Sequence, residues 1–131
     1  MSVQVSTART AAVWVLRVAL GAYFVYSGLS LFGDGFVGKF DRIGFGQGLR
    51  YVTGVLEVAG GLGLLVPLLG GLAALGLAAV MTGAVITELI ILGDPEAAVL
   101  PALLLALSVA TALLCWDDVR VPGRRGQRLG K

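Results

Sequence analysis

Glu57, in YVTGVLEVAGG, and Glu88, in VMTGAVITELIILG, are carboxyl groups placed inside two of the most apolar stretches of the chain. A charge near the centre of a bilayer costs about 2.5–3.5 kcal/mol on insertion scales, so a carboxyl kept at such a position points to a use. Two carboxyls in differing surroundings suit proton transfer, one donating as the acid and the other accepting as the carboxylate. Their company fits this chemistry. Arg50, Thr53, Gly54, Glu57 and Gly61 follow the i, i+3, i+4 rule and share a helical face of small and polar groups. Tyr23, Tyr26, Ser27 and Ser30 make a similar stripe in an earlier segment. The spacing predicts a cavity with Glu57 and Glu88 as its reactive pair and Tyr23, Tyr26, Ser27, Ser30, Arg50 and Thr53 around a lipophilic small molecule. A structural alternative is a polar lock, with each glutamate bonded to a tyrosine or to Arg50. Arg17, in AAVWVLRVALGAYF, is a third charge in an apolar run; it either snorkels to the inner interface or reaches into the helices from beneath.

The residue types also exclude chemistry. The chain has no histidine and a single cysteine, Cys115, so histidine-ligated haem, zinc and copper sites are unavailable within it, and so are an intramolecular disulfide and a C-x-x-C relay. No metal site is expected. GGLGLL has neither a preceding strand nor a following Lys-Ser/Thr pair, so it is not a phosphate loop.

The elements that must position these groups follow from composition. With 57% hydrophobic and 14% charged residues and a mean hydropathy of +0.92, a chain of 131 residues is more apolar than a soluble core of its length requires. A spanning helix needs about 20 mostly apolar residues, and four segments reach that length: 11–32, 51–69, 72–92 and 97–116. The alternation of a membrane barrel is absent. The first apolar run is longer than the core of a signal peptide and counts as a retained helix. The expected fold is all-α: one integral membrane domain forming an antiparallel four-helix bundle, with a basic tail at 117–131.

Short connections at 68–72 and 93–96 force neighbouring segments together, and an even number of spans puts both termini on one side. Arg9, Arg120, Arg124, Arg125, Arg128 and Lys131 fall there, against Lys39, Arg42 and Arg50 opposite, which predicts a cell-membrane protein with cytoplasmic termini. Trp14 and Trp116 then belong to the inner interface and Tyr51 to the outer. The tail reads as an anchor for anionic lipid heads rather than a nucleic-acid binder. In the loop 33–50, Phe36, Val37, Phe40 and Ile43 recur at helical spacing with Asp34 as a potential cap. Such a segment would lie in the interface, or lid the bundle, with Lys39, Asp41 and Arg42 facing water. Counted at about 1.5 Å per residue, Glu57 and Glu88 lie in the same outer leaflet and Arg17 below them. Gly21 and Gly28, Gly54 and Gly61, and Gly76 and Gly83 predict close helix contacts, and the surplus Gly/Ala faces leave room for a homo-oligomer.

YFVYSGLS at 23–30, RYVTGVLEVAGGLGLLVP at 50–67 and GLAALGLAAVMTGAVITEL at 71–89 resemble the DoxX-like family of small four-helix membrane proteins. The resemblance covers roughly residues 17–116. Its most specific part is Gly-x-x-Glu-x-x-Gly-Gly, from Gly54 to Gly61, which falls on Glu57. The family takes its name from a membrane subunit of a thiosulfate to quinone oxidoreductase. The resemblance therefore implies a redox-associated subunit or quinone-binding protein, with a partner protein as electron donor. Leu31 stands where relatives often carry lysine, and Glu88 where they often carry histidine, so the two-carboxyl arrangement is particular to this chain. Two other functions remain open: a free-standing membrane enzyme that opens, cyclises or isomerises a lipophilic substrate, and a non-catalytic assembly factor.

Overall fold

The structure is a computed structural model and describes residues 2–115. Trp116 and the basic tail at 117–131 lie outside the described residues. Helix α1 runs Ser2–Ser30, a 3-10 turn Asp34–Phe36, α2 Val37–Ile43, α3 Gln47–Leu65 and α4 Gly70–Ile86. A π turn at Thr87–Ile91 extends α4, and α5 covers Val99–Leu114. No strand occurs among the described residues.

Two stretches, Thr7–Ser30 and Gly70–Ile91, are long and apolar enough to cross a membrane, while the apolar helix α5 is shorter. Within an apolar 18-residue part of each stretch only 28% and 22% is buried, whereas the core helix of a soluble protein would be mostly covered. Their outward residues include Val15, Val18, Leu29, Leu72, Leu75, Ile86 and Ile90, all exposed.

Helix α1 packs on α3, α3 on α4, and α4 on α5. Glycine sets the first contact. A Cβ on Gly28 would stand 2.7 Å from the Gly54 carbonyl oxygen, and one on Gly61 would stand 2.7 Å from that of Gly21, so the two backbones touch where both lack side chains. Between α3 and α4, Gly60 takes Leu77 and Gly63 takes Ala73. The third expected pair behaves differently: built Cβ atoms on Gly76 and Gly83 meet nothing within 4 Å. Equal spacing puts these two glycines on one face, but among the described residues no helix covers that face.

The main core gathers Leu20, Phe24, Leu64, Ala74, Leu77, Met81, Leu104 and Ala112. A smaller cluster of Leu31, Phe40 and Ile43, backed by Leu92, ties α2 down over one end. Phe40 and Ile43 are buried as their spacing predicted, but Phe36 is exposed and Val37 half-buried. Asp34 does not act as a side-chain cap for the 3-10 turn or for α2.

Both buried arginines serve helix ends. Arg17 reaches inward, its Nε donating to the Leu64 carbonyl at 2.7 Å and its Nη2 to that of Val66 at 2.8 Å, with Trp14 stacked 4.0 Å from the guanidinium. The Leu64 carbonyl belongs to the last turn of α3, where helical partners run out, and that of Val66, just past the end, also accepts from the Leu69 N–H at 3.2 Å. Arg50 treats the end of α1 in the same way, donating through Nη1 to the carbonyls of Leu31 and Gly33. Its Nε donates to Gln47 Oε1 at 2.7 Å and its Nη2 to the Tyr51 hydroxyl at 2.9 Å.

Candidate functional site

A cavity of about 420 Å³ opens between α1, α3, α4 and α5 beneath α2. Its walls are mostly aliphatic, from residues such as Val52, Leu56, Val80 and Leu104, and both glutamates line it. Tyr23, Ser27, Thr53 and Lys39 contribute the other polar groups.

Glu57 is only 5% exposed. The Ser27 hydroxyl donates to its Oε1 at 2.8 Å. The local sequence explains the pairing, because Ser27 precedes Gly28, the glycine that lets α1 come against Gly54, one turn before Glu57. Close backbones bring a short side chain within reach of the carboxyl. Glu88, also 5% exposed, is ion-paired to Lys39 Nζ. It projects from the π turn, where the Leu92 N–H donates to the Thr87 carbonyl at 2.9 Å and the Asp94 N–H to that of Glu88 at 2.7 Å. Turns of this kind recur at functional sites because the extra residue re-aims a side chain out of register.

Tyr23 faces the cavity with its ring edge-on to Phe24, centroids 5.8 Å apart. Thr53 lines the wall while its hydroxyl donates to the Leu49 carbonyl at 2.8 Å. Three expected site residues lie elsewhere. Tyr26 is 72% exposed; the turn of α1 that aims Ser27 at α3 carries Tyr26 outward. The Ser30 hydroxyl donates to the Tyr26 carbonyl at 2.9 Å at the end of the helix. Arg50 is occupied by the carbonyls that end α1. The polar lock also differs from what is found, since Glu57 is bonded by Ser27 and Glu88 is paired with Lys39, neither with a tyrosine or Arg50.

Lys39 is the residue that sequence reasoning missed. The spacing places it facing water with Asp41 and Arg42, yet its side chain is 32% exposed and turned under α2 to Glu88. The signal was present: Lys39 lies three residues after Phe36 and four before Ile43, on the same face as the apolar anchors. Asp41 and Arg42 are exposed as expected.

Chemically, the cavity offers one carboxyl held by a neutral hydroxyl and a second held by an ammonium, at the polar limit of an apolar chamber. Among the described residues no three His, Cys, Asp or Glu side chains gather as metal ligands. A family model described as "DoxX-like family" matches residues 15–111, a stretch that contains every residue named in the cavity. The chain belongs to the DoxX-like family. No curated protein and no solved structure matches it. Within this DoxX-like chain, Glu57 combines the most specific sequence pattern with a buried position on the cavity wall.

Proposed function

We propose that this DoxX-like chain is a redox-associated membrane subunit that holds a quinone-class lipophile in the cavity, with Glu57 and Glu88 handling protons. The carrying observation is an aliphatic chamber ending at two buried carboxyls with unlike partners. In this reading α1, α3, α4 and α5 cross the cell membrane as an antiparallel bundle with both termini cytoplasmic. The glycine pairings support that arrangement, since the earlier glycine on α1 meets the later one on α3 and the later meets the earlier. Exposed leucine, valine and isoleucine on the outward faces of the helices are what a lipid-facing surface requires.

Conversion of a quinone to its quinol takes up two electrons and two protons. With no histidine and one cysteine, the chain's side chains offer no electron donor, so electrons come from a partner protein. The residues of this chain bind and supply protons. Glu57, oriented by the Ser27 hydroxyl, would hold the ring oxygen and supply a proton to it, and the Lys39–Glu88 pair at the α2 end would take up protons from the outer water and pass them on to Glu57 for the next transfer. Tyr23 and Thr53 flank the ring, and the aliphatic wall takes the chain.

A second reading, a free-standing acid/base enzyme acting on a membrane lipophile, is favoured by the same inequality of the carboxyls, which suits an acid and a base. Photolabelling tests the first reading. An azidoquinone irradiated in membranes holding the protein should modify the 23–27 and 52–57 stretches, and excess unlabelled quinone should suppress it. Label confined to outward faces, or insensitive to competition, would overturn the quinone assignment.

A further inference from the structure

The cavity has a floor, a roof and one flank of a different character. Below, α3 and α4 close on each other, a built Cβ on Gly60 falling 2.6 Å from Leu77 and one on Gly63 2.9 Å from Ala73. Above, α2 covers the chamber with buried Phe40 and Ile43 and with the Lys39–Glu88 pair. On the side between α3 and the α4–α5 pair, the lining residues Val52, Leu56 and Leu100 are themselves exposed, and so are Ala79 and Gly83. A residue that lines a chamber and also faces out marks its mouth. Gly83 is decisive, because a side chain built there meets nothing within 4 Å. Its lack of a side chain is unused by any helix contact, unlike that of Gly21, Gly28, Gly54 or Gly61.

We infer that Gly83 keeps open a lateral portal through which a lipophile passes directly between the bilayer and the cavity. This rests on the quinone reading above and deepens it. The portal's rim is Val52 and Leu56 on α3, Ala79 and Gly83 on α4, and Leu100 on α5. All are aliphatic or absent side chains, so the gap presents no polar barrier to an isoprenoid or alkyl tail and no attraction for a charged solute. The head then meets Glu57 and Ser27 within, and once through the gap the tail settles along the aliphatic wall of the chamber. Gly83 determines how bulky a tail can pass.

The test measures loading and release of decylubiquinone by the full chain in phosphatidylcholine nanodiscs. In Gly83→Leu both rates should fall about tenfold together, leaving Kd nearly unchanged, because a narrowed passage slows entry and exit alike. Gly76→Leu is the control: that glycine is equally open and on the same helix but does not line the cavity, and its variant should keep wild-type rates. Gly83→Leu with wild-type rates, or with a weakened Kd and faster release, would overturn the portal alone. No decylubiquinone binding by the wild type would overturn the quinone reading and the portal with it.

Discussion

At the scale of single residues, the four buried charges among the described residues divide into two roles. Arg17 and Arg50 satisfy carbonyls at helix ends, while Glu57 and Glu88 line a chamber. A charge-assisted hydrogen bond contributes about 1.5–3 kcal/mol, so Arg17→Ala should lower the melting temperature in detergent clearly. Arg17→Lys should recover only part of the loss, because an ammonium cannot reproduce the fork that spans Leu64 and Val66. A wild-type melting temperature for Arg17→Ala would remove the capping role. Lys39 and Glu88 are coupled, so Lys39→Met should destabilise by stranding a buried carboxyl, and adding Glu88→Gln should restore much of the loss. Additive losses would show the ion pair to be incidental. The sequence marked both glutamates, Tyr23, Ser27 and Thr53, because chemical type and depth are linear properties. The same spacing drew in Tyr26, Ser30 and Arg50, which lie elsewhere: the turn of α1 carries Tyr26 outward, and Ser30 and Arg50 bond carbonyls near the end of α1.

At the scale of elements, the same glycine period has opposite meanings in different helices. Gly28 and Gly61 face a backbone, so Gly28→Leu or Gly61→Leu must push α1 away from α3. Overpacking costs about 1–3 kcal/mol even where a core can adjust, and a backbone oxygen at 2.7 Å adjusts little. Either variant should lower the yield of folded protein in detergent, whereas Gly76→Leu should not; equal behaviour of all three would contradict the packing described. Periodicity tells which residues share a face and is silent about what covers that face. Residues 36–43 illustrate the same limit, since the anchors Phe40 and Ile43 were legible but the inward turn of Lys39 was not. The π turn under Glu88 was invisible altogether, because one extra residue in a helical turn leaves no mark on an apolar run.

At the scale of the whole molecule, composition and segment length implied the all-helical, apolar character of the chain before any contact was known. The cavity was expected only as a gathering of polar stripes; that aliphatic residues of α3, α4 and α5 also wall it depends on how the helices pack, which no local pattern encodes. The proposed topology places α2 outside. Gly38, exposed with no atom within 4 Å of its built Cβ, is a suitable reporter: Gly38→Cys in a Cys115→Ala background should react with an impermeant maleimide added to intact cells. Reaction only after the cytoplasmic face is opened would invert the orientation. The central claim is that the cavity carries a quinone-class lipophile at Glu57, and native mass spectrometry of gently extracted protein tests it most directly. Wild type should carry a quinone mass, and Glu57→Leu, folded and equally helical, should lose most of it, consistent with an affinity loss of about tenfold for one strong hydrogen bond. A bare wild-type chain, or an equal quinone load on both proteins, would contradict the account.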